Sequence, residues 1–128
     1  MPDPKPNQKR ISAYAKGWMG EDAACAYLQN KGMILLSRRY RSLFGEIDLV
    51  MQDGETLVFV EVKARAKARP GTGLYAITPA KQKRMLKAAA LYLAEHDCNS
   101  PARFDAVEVT ASGILHIPGA FDATDAEW

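Results

Sequence analysis

Asp53-Gly54 stands between two strand-like runs, Glu46 to Met51 and Thr56 to Lys63, the second rich in Val and Phe. An Asp-Gly pair in that position is a hairpin signal, so the two runs are expected to pair as antiparallel neighbours. With Asp53 and Gly54 as the loop, Gln52 pairs with Glu55, Asp48 faces Phe59 and Glu46 faces Glu61. Side chains alternate along a strand. This register therefore puts Glu46, Asp48, Glu61 and Lys63 on one face, with Ile47 and Leu49 on the other. A slip of one residue would separate the four.

Otherwise apolar strands have little structural use for three carboxylates and a lysine. Cleaving a phosphodiester, by contrast, calls for a metal that stabilises charge on the phosphate and lowers the pKa of an attacking water. Magnesium takes oxygen ligands and keeps several waters, so one or two carboxylates suffice. Asp48 and Glu61 can supply them to Mg²⁺ or Mn²⁺, and Lys63 can point its ammonium at the water or the phosphate. The structural alternative is an ion-pair ladder on a half-exposed sheet face.

Two helical residues extend this set. Glu21 falls inside the apolar stripe of Tyr14, Trp18, Cys25 and Leu28, where a carboxylate is costly unless paired or bound to a cation. It is expected either to complete the metal site or to pair with a basic residue between Arg38 and Arg41. Gln82 shares a helix face with Met85, Leu86 and Ala89. It could hydrogen-bond a phosphate or orient a water, or be an ordinary residue of a helix start.

The surrounding pattern predicts α-β-β-β-α-β-β, a mixed sheet flanked by two helices. A first helix spans about Ser12 to Lys31 and stops at Gly32 as a C′ residue. Met33 to Leu36 is a short strand, followed by a basic connection or continuing strand to Phe44. Thr78-Pro79 opens a second helix, Thr as N-cap and Pro at its first position, running to about Glu95. Arg103 to Val109 and Ile114 to Ile117 read as the last strands, with a turn at Ser112-Gly113 and an irregular remainder. Residues 1–11 read as a disordered tail, 12–122 as one domain and 123–128 as an acidic tail.

Net charge is only +2, but basic residues cluster beside the carboxylate strings. Arg65, Lys67 and Arg69 lie in a Gly- and Pro-containing loop, and Lys81, Lys83, Arg84 and Lys87 on the second helix. Together they suggest a surface for a polyanion such as DNA, or more plainly a solvated face. Cys25 and Cys98 are far apart and form no CxxC, and His96 and His116 are isolated, so neither zinc nor a disulfide framework is indicated. No P-loop, GxGxxG or GxSxG is present, and no apolar run of about 18 residues, so no membrane span is expected. A cytoplasmic location is the expectation.

The ordered stretches Gly17-x-x-Gly20-Glu21-Asp22-x-Ala24, Gly45-Glu46-Ile47-Asp48-Leu49-Val50 and Val58-Phe59-Val60-Glu61-Val62-Lys63 carry a resemblance, continued by Ile77-Thr78-Pro79-x-Lys81-Gln82-x-Arg84, Arg103-Phe104-Asp105-Ala106-Val107 and Ala120-Phe121. The chain resembles the YraN-like family (uncharacterised protein family 0102), itself similar to archaeal Holliday junction resolvases of the PD-(D/E)XK nuclease superfamily. The resemblance implies a restriction-endonuclease-like α/β core. It makes Asp48 and Glu61 metal ligands, Lys63 the catalytic lysine and Glu21 the helix carboxylate, and matches Gln82 to a helix glutamine near the site. The superfamily's Pro-Asp is Ile47-Asp48 here, and only the Asp carries chemistry. The implied activity is a Mg²⁺-dependent endonuclease acting on DNA, branched DNA included, in recombination or repair. The alternative is a nucleic-acid-binding module that does not cut, and a third reading is a small scaffold. Resolvases make paired cuts as two-fold dimers, so a homodimer is open by analogy.

Overall fold

A computed structural model of the chain describes residues 20–65 and 77–121. The expected tails, Tyr14, Trp18, Lys67 and Arg69 lie outside them. Helix α1 covers residues 20–30. Strands β1 (Ile34–Ser42), β2 (Gly45–Asp53) and β3 (Thr56–Arg65) follow, then helix α2 (Pro79–Glu95) and strands β4 (Ala102–Thr110) and β5 (Gly113–Phe121). The five strands form one sheet in the order β1-β2-β3-β4-β5. Among the described strands only β3 and β4 are parallel, and α2 is the crossover between them. This is the expected α/β order, with a mixed sheet and two helices.

Each helix covers one face of the sheet. Leu57 and Phe59 of β3 pack with Met85, Leu86, Ala89 and Tyr92 of α2. The alternate residues Val58 and Val60 pack with Ala24, Cys25 and Leu28 of α1. Burial on both sides is why β3 reads as an unbroken apolar run. No helix among the described residues is long and apolar enough to cross a membrane.

The expected end signals are met. Gly32 has φ +96 and sits at C′ of α1. Its N–H donates to the Gln29 carbonyl at 2.9 Å, and that of Met33 to the Leu28 carbonyl at 3.1 Å, closing a Schellman motif. Thr78 caps α2, its Oγ1 accepting from the Lys81 N–H at 3.1 Å, with Pro79 at the first position.

Of the two expectations for the basic stretch after Leu36, the continuing strand is observed, with β1 running as far as Ser42. Two boundaries differ from expectation. β5 runs to Phe121 instead of ending at Ile117, past an irregular pairing where Asp105 accepts the Gly119 N–H at 3.0 Å. The β2–β3 loop is Gly54-Glu55, with Asp53 paired to Thr56 and Val50 to Phe59. Gly54 takes φ +60, which suits glycine, so the turn forms one residue later than expected. This shift moves each residue's partner by two positions, an even step, and so preserves the face.

Gly20 marks a close approach of α1 to the sheet. A Cβ added there would lie 2.4 Å from the Cβ of Ala64 on β3. In an exposed helix, Gly→Ala gains about 1 kcal/mol of propensity. Here Gly20→Ala should instead lose about 1–3 kcal/mol, because neither the helix nor the strand can yield without repacking. A chemical-denaturation midpoint that rose on this substitution would show that the contact gives way.

Candidate functional site

β1 and β2 both change face at the same point. Arg38 pairs with Leu49, and Tyr40 with Ile47. Leu49 belongs to the core beneath α1, whereas Ile47 belongs to the core beneath α2, with Tyr40 packed against it. Arg39 lies at the switch with φ 52, a value uncommon outside glycine. The simple alternation expected for β2, with Ile47 and Leu49 sharing the face opposite Asp48, is therefore wrong. The residue between them is Asp48.

The switch directs Asp48 into the ladder. The last β2–β3 pair towards this end is Leu49 with Val60. Beyond it, the Asp48 Oδ2 accepts the Val62 N–H at 2.7 Å, in place of a backbone carbonyl. Burial raises the pKa of Asp48 above the ordinary carboxylate range. The Val62 hydrogen bond and then the charges of Lys81, Arg39 and Lys63 oppose that rise without cancelling it.

Glu61 stands beside it on β3 and is buried. Its Oε2 accepts no hydrogen bond of good geometry. Two ammonium groups face it instead: Lys81 from the first turn of α2 is in contact, and the Lys63 Nζ lies 3.8 Å away. Asp48, Glu61 and Lys81 line a cavity of about 300 Å³ together with Phe44, Gly45, Glu46, Arg84 and Met85.

Asp48 and Glu61 are thus brought together, as expected, with Glu46 on the cavity wall and Lys63 next to Glu61. Glu21 is not part of that pair. It is buried at the start of α1 and held by two guanidinium groups of β1. The Arg39 Nε donates to it at 3.0 Å, and an Arg38 nitrogen lies 3.6 Å away. Strand neighbours ordinarily point to opposite faces, and the positive φ of Arg39 lets both reach one carboxylate. Among the described residues no three Asp, Glu, His or Cys side chains come together as a metal-binding group. Of the two expectations for Glu21, pairing with basic residues of β1 is the one observed.

Gln82 faces elsewhere: its Nε2 donates to the Ile77 carbonyl at 3.0 Å, securing the start of α2. Of the basic residues, Arg65, Lys83 and Arg84 are exposed. Lys81, expected on the outer face, turns into the cavity, Arg84 borders it, and the Lys87 Nζ sits 5.6 Å from the centre of the Phe44 ring. His96 and His116 each have a hydrogen-bond partner within the fold. His96 Nδ1 is 2.8 Å from the Tyr92 carbonyl, and His116 Nε2 is 2.7 Å from the Asp105 carboxylate.

Sequence reasoning missed three features. Lys81 as the counter-charge of Glu61 was hidden among the basic residues of α2. Its place three residues after the cap, in the first turn, was the available signal. Glu108, fully buried on β4, pairs in register with Lys63. Asp105, also fully buried, joins Arg103, His116 and Gly119 in a hydrogen-bonded knot on β4 and β5.

The two carboxylates suit a divalent cation of the magnesium class. Hard oxygen donors and room for retained water are what such an ion needs. The poorly hydrogen-bonded Glu61 Oε2 already draws positive charge to itself. Asp48 and Glu61 would hold the ion, and Lys81 is the group that would have to yield to it.

Comparison with known proteins places the chain among bacterial relatives of similar length. It is 45% identical over 114 residues to a UPF0102 protein of Herminiimonas arsenicoxydans, covering 89% of this chain and 92% of the relative. It is 45% identical over 114 residues to one of Nitrosomonas europaea, covering 87% and 97%. It is 46% identical over 112 residues to one of Nitrosococcus oceani, covering 83% and 90%. The family model described as "Uncharacterised protein family UPF0102" matches residues 20–109, from Gly20 on α1 through the strands and helix that build the cavity. The chain therefore belongs to uncharacterised protein family UPF0102.

Proposed function

We propose that this protein is a divalent-metal-dependent endonuclease acting on DNA, branched DNA included. One observation carries the reading. Asp48 and Glu61 lie side by side, with Glu61 facing lysines from two different elements, at a cavity open to a ligand. A bound cation would supply charge stabilisation at the phosphate and a more acidic water. Asp48 and Glu61 are the residues to hold it. Asp48 is fixed for this by the Val62 N–H. Lys63, whose Nζ is 3.8 Å from Glu61, would carry positive charge to the reacting phosphate, and Arg84 at the cavity wall would bind a neighbouring one. The exposed Arg65 and Lys83 extend the positive surface for the DNA backbone.

The second reading is a DNA-binding module that does not cut. The contact of Lys81 with Glu61 favours it, because an internal ammonium already supplies the counter-charge a cation would bring.

The test is a cleavage time course on four-way junction, flap and linear duplex DNA in Mg²⁺ and Mn²⁺, with Glu61→Gln as control. The expected result is cutting of a branched substrate that the variant loses by on the order of 10²-fold or more. Wild-type protein that binds these DNAs and cuts none would leave the binding module as the function. Equal cutting by the variant would remove Glu61 from the site.

A further inference from the structure

The turn between β1 and β2 points two apolar side chains outward beside the cavity. Leu43 is 96% exposed and Phe44 38%. Two-residue turns favour Gly, Asn, Asp and Ser, so consecutive Leu and Phe are not what the turn itself asks for. Single exposed apolar residues are ordinary. This pair sits in a turn hydrogen-bonded through Ser42.

The Ser42 Oγ donates to the Gly45 carbonyl at 2.9 Å and accepts the Phe44 N–H at 3.1 Å. Gly45 takes φ +127, while Leu43 and Phe44 both keep negative φ. Phe44 and Gly45 are themselves cavity wall. Three cations flank the tip, one of them paired with Glu46. Arg84 lines the same cavity, Lys87 lies against the Phe44 ring, and Arg41 is largely exposed, 3.2 Å from Glu46.

We infer that Leu43 is a wedge that enters an opened base step of DNA, with Phe44 as its inner support, while the surrounding cations hold the flanking phosphates. Apolar side chains inserted between bases cost a few kcal/mol of unstacking. That cost is least where stacking is already broken, as at a branch point, so the wedge would select branched over continuous duplex. The inference rests on the DNA-directed reading above and adds the residue that chooses the substrate's shape.

The experiment compares full-length wild type, Leu43→Ser and Leu43→Met for binding to a four-way junction and a continuous duplex in Ca²⁺. A 2-aminopurine at the branch reports unstacking. The serine variant should bind the junction on the order of tenfold more weakly, with duplex affinity and thermal midpoint unchanged and the 2-aminopurine signal lost. The methionine variant should restore both. Equal losses on junction and duplex, or no loss on either, would overturn the wedge and leave DNA binding standing. A serine variant that instead changed the sedimentation of DNA-free protein would make the tip a self-contact and also overturn it. Wild type that bound neither DNA would overturn both readings together.

Discussion

Lys63→Ala should cut turnover on branched DNA by on the order of 10²-fold or more, with folding and DNA affinity nearly intact. That pattern is the mark of a lost electrostatic contact to the transition state. The geometry explains why Glu61 should tolerate the loss. Lys63 Nζ is 3.8 Å from the Glu61 Oε2, whereas Lys81 is in direct contact with the same oxygen. Removing Lys63 therefore does not leave Glu61 without a counter-charge. A lysine serving only as an ion-pair partner would show about 0–1 kcal/mol of stability and nothing else. A thermal melt and a junction-cleavage time course on the same two proteins, in Mg²⁺ and Mn²⁺, separate the cases. A variant that cuts as fast as wild type would end the catalytic role.

Asp48→Asn should abolish the stabilisation that a divalent cation confers and at the same time stabilise the cation-free protein. Ligand binding to the native state alone adds about 2.7 kcal/mol at a hundred times Kd. For a domain of this size that is on the order of 10 °C in Tm. Asn can still accept the Val62 N–H, so the fold keeps its local hydrogen bond while losing the charge that burial disfavours.

The sign with pH follows. Because burial raises the native pKa of Asp48 above its unfolded value, the native state holds the proton more tightly between the two. Stability from this group is thus fully present below the unfolded pKa and is lost as pH rises through the native one. The Asn variant has no such loss. Its Tm advantage should be largest near neutrality and should shrink as pH falls through the native pKa of Asp48. Cation affinity of the wild type should weaken in the same direction, since the ligand must be deprotonated. Differential scanning calorimetry with and without Mn²⁺ across that range measures both. A wild type whose Tm does not respond to either Mg²⁺ or Mn²⁺ would remove the metal site.

Much of the architecture is local in origin. The Schellman end at Gly32 and the Thr78-Pro79 start of α2 depend on a few adjacent residues and are legible as such. The hairpin between β2 and β3 was legible too, although Gly54 placed the turn one residue later. The site was legible only where it followed strand periodicity. Asp48 and Glu61 meet because the observed register, continued one step past Leu49 and Val60, sets them beside each other. Alternation failed at Ile47, because β1 and β2 switch faces together, and nothing in β2 alone signals a φ of +52 at Arg39 on the neighbouring strand.

By itself, then, the sequence determined the order of the elements, their caps, the pairing of β2 with β3 and the pair of carboxylates between them. Each of these is written in contacts between residues close along the chain. Only the tertiary structure decided which charges satisfy one another. Glu21 goes to Arg38 and Arg39, Glu61 to Lys81 from a helix beyond residue 77, and Asp48 to a backbone N–H of β3. Buried charges are paired according to which elements pack against them, and that packing is fixed by the whole sheet and its two helices rather than by any one segment.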